Sequence, residues 1–91
     1  MRIEQTPSFK KIVKKLHEKQ KHDLDAAVRA IMDDPQMGQQ KKGVLFEARV
    51  YKFKMTDLLT LLAYTWDPEI DLITLLKLGP HENFYRDLKN R

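Results

Sequence analysis

Lys52 and Lys54 stand two apart in the run Val50-Tyr51-Lys52-Phe53-Lys54-Met55. A strand sends alternate side chains to opposite faces. The run therefore predicts a strand with Tyr51, Phe53 and Met55 turned inward and two ammonium groups side by side on the open face. Their spacing would be about 7 Å, which suits successive phosphates of a single-stranded nucleic acid. Either ammonium could neutralise charge developing on a phosphate under attack, or simply hold the backbone. A solvated lysine face on a half-buried strand has the same pattern, since antiparallel strands commonly turn polar residues outward. Arg49 falls on the opposite face from Lys52 if the strand is regular, and a bulge would reverse that.

A second group closes the chain: Gly79-Pro80-His81-Glu82-Asn83-Phe84-Tyr85-Arg86. His81 follows the last apolar run, where a loop would expose it. Histidine is the natural proton donor near neutral pH. If the segment is helical, His81 and Tyr85 share a face. A histidine, a tyrosine, an arginine and a lysine pair are the parts needed to cleave RNA without a metal. They supply a proton donor, a stacking ring and phosphate clamps. The plainer alternative is a surface histidine, with Phe84 and Tyr85 docking a closing helix. Phe84 reads as core.

Lys10, Lys11, Lys14 and Lys15 form a third group, either a nucleic-acid footprint or one solvated helix face. Lys10 and Lys14 are its candidate substrate-binding members. His17 and His22 find no Asp or Glu pattern to complete a metal site. Asp33-Asp34 sits before a proline and reads as turn chemistry. There is no glycine-rich phosphate loop, no serine nucleophile motif and no carboxylate–histidine metal spacing. No metal and no cofactor is expected.

The elements that must position these residues change period midway. Met1 to Gln5 alternates weakly, as a short strand would. Thr6 reads as an N-cap and Pro7 as the first helical residue. Phe9, Ile12, Val13 and Leu16 follow at helical spacing. Residues 17–22 are wholly polar and read as a turn. A second helix carries Leu24, Ala27, Val28 and Ile31, and Pro35 stops it. Met37 to Gly43 reads as a polar loop. Strands are expected at about 45–55, 58–66 and 70–78, the last two apolar enough to be central. Residues 81–89 could close the chain as a helix. The order is β-α-α-β-β-β-α. That is an α+β fold, an N-terminal helical hairpin packed on a small, mainly antiparallel sheet, in one domain spanning 1–91.

Composition agrees with this reading. The chain has 91 residues, 42% hydrophobic and 33% charged, which favours a folded domain over disorder. No cysteine is present, so disulfides and thiolate chemistry are excluded. No apolar run reaches the roughly 18 residues of a membrane span, and no signal-peptide core is expected at the N-terminus. A cytoplasmic protein without a membrane partner is expected. The net charge of +4 comes in blocks: +5 over residues 1–22, −3 over 23–37, +4 over 38–54, −3 over 55–80 and +1 over 81–91. Alternating blocks make a cationic surface that attracts nucleic acid or an acidic protein.

The layout, the Val50-Tyr51-Lys52-Phe53-Lys54 run and the Leu78-Gly79-Pro80-His81-Glu82-Asn83-Phe84-Tyr85 ending resemble the RelE/ParE superfamily of toxins from bacterial type II toxin–antitoxin systems. The resemblance runs from Phe9 to Leu88. It implies a ribosome-dependent messenger RNA endonuclease that inhibits translation by making a 2′-hydroxyl attack the adjacent phosphate. Lys52 and Lys54 match the basic strand of RelE. One catalytic arginine of RelE falls at Thr60 here and is absent. The other falls near His81, where the Gly-x-His ending is similar to that of YafQ-type members, and His81 and Tyr85 match. The resemblance implies His81 as general acid, Lys52 and Lys54 on the phosphorane charge, Tyr85 stacking on the nucleotide and Arg86 gripping phosphate. The implied partners are the ribosome, messenger RNA and a cognate antitoxin, which the adjacent open reading frame would encode. ParE members share the fold but poison DNA gyrase, and the missing arginine keeps that alternative open. A non-catalytic RNA- or protein-binding module is the third reading.

Overall fold

The computed structural model describes residues 1–40 and 48–80. The elements run β1 (Arg2–Gln5), α1 (Pro7–Lys14), α2 (Glu18–Asp33), β2 (Gln39–Gln40), β3 (Arg49–Met55), β4 (Leu58–Asp67) and β5 (Leu72–Pro80). They form a five-stranded sheet in the order β1-β5-β4-β3-β2. β1 pairs parallel with β5, and the other three pairings are antiparallel. The two most apolar strands, β4 and β5, lie inside the sheet, as their composition predicts. The expected helix over 81–89 and the expected start of β3 at 45 lie outside the described residues.

Both helices pack on one face of the sheet. Phe9 of α1 and Leu24, Ala27 and Ile31 of α2 meet Met55, Leu62, Tyr64, Ile73, Leu75 and Leu78 in one buried cluster. Thr6 caps α1 by accepting the Phe9 N–H at 3.2 Å, and its hydroxyl donates to the Leu76 carbonyl at 3.2 Å. The helix start is thereby tied to β5. Pro7 occupies the first turn, where a missing N–H costs nothing.

The polar stretch 17–22 is not a turn. α2 begins at Glu18, and the Gln20 side chain accepts the His17 N–H at 3.0 Å. Glu18, Lys19 and Lys21 are exposed, strong helix formers. They supply helical backbone without contributing to the apolar stripe, which is why periodicity alone passes over them. The polar loop after Pro35 likewise contains an unexpected strand: Gln39 and Gln40 pair with Val50 and Arg49.

β3 and β4 are joined by a two-residue turn. Met55 pairs with Leu58, and Thr56 and Asp57 both have positive φ, 50° and 69°. This is the twist-matched hairpin geometry that favours Asn-Gly. The Thr56 N–H donates to Asp23 Oδ2 at 2.8 Å and pins the turn to α2. A β-branched residue at positive φ is strained. Thr56→Asn with Asp57→Gly should therefore stabilise the fold by about 1 kcal/mol. The urea midpoint should rise at constant slope. A lower midpoint would mean that the Thr56 side chain contributes more than its strained backbone costs.

Candidate functional site

β3 pairs with β4 residue by residue from Arg49/Tyr64 to Met55/Leu58, without a bulge. The alternation is therefore regular. Tyr51 and Phe53 turn toward the helices, with their rings stacked at 6.0 Å and 12°. Lys52 and Lys54 leave from the other face, and both are exposed. Neither makes an ion pair among the described residues. Their Cα atoms are two residues apart on an extended strand, about 7 Å.

Arg49 lies on the helix-side face, opposite from Lys52. Its guanidinium donates to the Gln36 and Gly38 carbonyls, each at 3.1 Å. It binds the segment after α2 to the sheet and stands apart from the lysine pair.

β4 adds no charge to the lysine face. Leu61 stands opposite Lys52 and Leu59 opposite Lys54. Thr60 pairs with Phe53, faces the helical layer and is 1% exposed. A longer cationic side chain at that position would be buried beneath the helices. On the lysine face, the β4 residues beside the two ammonium groups are leucines. Leu58 and Leu59 are 57% and 43% exposed, so the hairpin tip is apolar on both sides.

β5 contributes one residue that alternation conceals. Its register against β4 slips between Ala63/Lys77 and Tyr64/Leu75, leaving Leu76 as an extra residue. Strict period-two reading puts Lys77 with Ile73 and Leu75, inside the core. The bulge instead sets it opposite Ala63, on the lysine side, half-buried. The sequence signal for this was the Leu75-Leu76 doublet, which breaks the alternation.

The candidate residues do not all meet. Lys10 and Lys14 are exposed on α1, which packs against the other face of the sheet. His81, Tyr85 and Arg86 lie outside the described residues. A groove of about 880 Å³ is at the far end of β3 and β4, around Arg49, Trp66, Asp67 and Glu69. Its carboxylates and its carbonyl-bound arginine make a poor phosphate site. A smaller cleft of about 180 Å³ lies between α2 and β3 and touches Tyr51, Phe53 and Lys54. No group of three His, Asp or Glu among the described residues could hold a metal ion. No helix among them is long and apolar enough to cross a membrane.

The chain is similar to a chain in the crystal structure of the intact E. coli RelBE toxin–antitoxin complex. The TM-score is 0.69 at 18% identity, over 89% of this chain and 96% of that one. At that identity the likeness establishes the fold. No significant match was found among curated proteins. Residues 3–89 match the model of the ParE-like toxin of type II bacterial toxin–antitoxin systems. With nearly the whole length matched and the fold agreeing, the chain belongs to this family of ParE-like toxins, within the RelE/ParE superfamily.

Proposed function

We propose that this toxin acts in the cytoplasm as a metal-independent, ribosome-dependent endoribonuclease that cuts messenger RNA and stops translation. The observation that carries the reading is the exposed Lys52–Lys54 pair on a rigid, regularly paired strand. Two fixed cations of this kind suit a phosphodiester whose charge rises during attack. The 2′-oxygen would bond to the adjacent phosphorus and the bond to the 5′-oxygen would break. The products are a 2′,3′-cyclic phosphate and a free 5′-hydroxyl. Lys52 would assist loss of the 2′ proton, and both lysines would stabilise the phosphorane. His81 would deliver the proton to the departing 5′-oxygen. Tyr85 would stack on the nucleotide and Arg86 would grip phosphate. Lys10 and Lys14 would form a second basic surface on the helical side. A cognate antitoxin would neutralise the cationic face.

The described backbone supports a role for His81. Pro80, to which His81 is bonded, pairs with Thr60, which pairs with Phe53. The chain therefore leaves β5 two strand spacings, about 10 Å, from the segment between Lys52 and Lys54. A histidine and a lysine can close that span around one phosphate. His81→Ala should lower cleavage by about 10²–10⁴-fold in a purified translation system, as loss of a general acid does. Unchanged cleavage would remove His81 from the mechanism.

A second reading has a specific observation behind it. The leucines opposite both lysines withhold a cation from the face, and the matching family is described by ParE. Binding and blocking DNA gyrase without cutting RNA fits such a face. Inhibition of plasmid supercoiling with messenger RNA intact would establish it.

A further inference from the structure

Lys77 has no part in the mechanism above, yet an irregularity of β5 aims it at the same face. Leu76 enters β5 as an extra residue between the Leu75/Tyr64 and Lys77/Ala63 pairings. Without it, Lys77 would share the helix-side face with Ile73 and Leu75. With it, Lys77 leaves on the face of Lys52 and Lys54, half-buried. Bulges recur beside active sites, where they re-aim one side chain. Lys77 stands at the border of a buried apolar cluster of Ala48, Val50, Leu61, Ala63 and Leu76. A lysine stem can lie on such a surface while its ammonium stays in water.

The register places Lys77 relative to the lysine pair. Lys52 is opposite Leu61, and Leu61 is opposite Gly79. Lys52 and Lys77 are therefore two strand spacings apart across the sheet and two residues apart along it. Their Cα atoms are about 12 Å apart, nearly twice the step from Lys52 to Lys54. Three cations at these intervals match successive phosphates of one strand better than a single phosphate. Gly79 lies in the row between, where a missing side chain allows close approach of another backbone. Lys77 makes no ion pair among the described residues. By register the nearest described carboxylate on this face is Glu4, opposite Thr74, and Arg2 holds it at 3.2 Å.

We infer that Lys77 is a substrate-binding residue for a messenger RNA phosphate that flanks the scissile one. The inference rests on the endoribonuclease reading and extends its contact surface from β3 across the sheet to β5. Chain direction says which flank. β5 runs from Lys77 through Gly79 to Pro80, and His81 follows at the end away from Lys77. In the proposed mechanism His81 marks the side of the departing 5′-oxygen. The phosphate at Lys77 is then upstream of the cut. A charge neutralised there binds the ground state and the transition state alike. It lowers KM and leaves the chemical rate alone.

The test uses ribosomes programmed with a message whose cut-site nucleotide lacks its 2′-hydroxyl, so that binding is read without cleavage. Lys77→Met keeps the stem and removes the charge. It should raise Kd about tenfold, and Lys77→Arg should restore binding. The slope of log affinity against log salt should become shallower by about 0.7, the share of one phosphate on a single strand. On an all-ribose message, the single-turnover rate at saturation should stay within about twofold of the parent value. A neutral methylphosphonate at the first or second linkage upstream should weaken the parent protein by a similar factor and Lys77→Met hardly further. Equal losses in both proteins overturn the inference, and so does an unchanged Kd. A saturating rate that falls with Kd unchanged assigns Lys77 to the reacting phosphate or to the fold, and overturns it too. Should the Lys77 variants fail to fold, the linkage scan on the parent protein decides, because a flat upstream profile refutes the contact. In each of these outcomes the parent protein cuts the all-ribose message. A parent protein that leaves it intact refutes the endoribonuclease reading, and the inference falls with it.

Discussion

Lys52→Ala combined with Lys54→Ala abolishes growth arrest on expression and leaves the unfolding midpoint close to that of the parent protein. The two halves of this expected result have separate causes. Both side chains are exposed and unpaired among the described residues, so little folding energy depends on them. Substitutions of this kind usually shift stability by no more than about 0.5 kcal/mol. The functional loss is large because a fixed charge aimed at a transition state contributes about 10²–10³ in rate. The single substitutions need not multiply, since on the proposed mechanism both amines would face one phosphate. Single-turnover cleavage separates roles: lost transition-state contacts lower the chemical rate, whereas lost RNA binding raises KM with kcat retained. Full toxicity in the double variant would move the site away from β3.

Gly38→Ala should be strongly destabilising for so small an addition. A Cβ at Gly38 would lie 2.6 Å from Tyr64 Oη and 2.9 Å from its ring. The ring cannot retreat, because Tyr64 is fully buried beneath the helices. Its hydroxyl accepts the Gly38 N–H at 3.0 Å and donates to the Pro35 carbonyl at 2.7 Å. Arg49 ties the Gln36 and Gly38 carbonyls to the same corner. Overpacking costs about 1–3 kcal/mol. Breaking the buried hydrogen bonds would cost about 1–3 kcal/mol more. Tyr64→Phe should lose only that second contribution. In the double variant the clash with the hydroxyl disappears, so the combined loss should fall short of the sum. Chemical denaturation of the three variants measures this, and strict additivity would contradict the contact.

Tyr64 also sets a pH limit. Burial raises its pKa above 10, opposed by the Gly38 hydrogen bond and by the charge of Arg49. The folded state therefore holds the phenol proton more tightly than the unfolded chain. The contribution is complete below the unfolded pKa near 10 and is lost as pH rises through the folded value. Stability should decline above about pH 10 more steeply in the parent protein than in Tyr64→Phe.

Much of the fold could be read from local chemistry. Thr6-Pro7 announced the first helix, Pro35 ended the second, and alternation across Val50 to Met55 correctly divided two aromatic rings from two lysines. What escaped reading was set at longer range. Glu18 to His22 join α2 because helix propensity needs no apolar stripe. Gln39-Gln40 become a strand because Arg49 and Tyr64 hold the preceding turn against the sheet. Lys77 changes face because one extra residue enters β5, and strict periodicity cannot register a bulge. Thr60 reads as a lost catalytic position in the linear chain, but its pairing with Phe53 turns it into the core. The sequence exposes the lysine pair directly, whereas the leucines beside it on β4 are placed only by strand register.

Incubating the purified protein with ribosomes translating a defined message, then mapping the 5′ and 3′ ends, tests the central claim most directly. The account predicts cuts within the translated region that leave 2′,3′-cyclic phosphate and 5′-hydroxyl termini, require ribosomes, persist in chelator, and vanish with Lys52→Ala and Lys54→Ala. Intact message under conditions where the same preparation blocks gyrase supercoiling would contradict it.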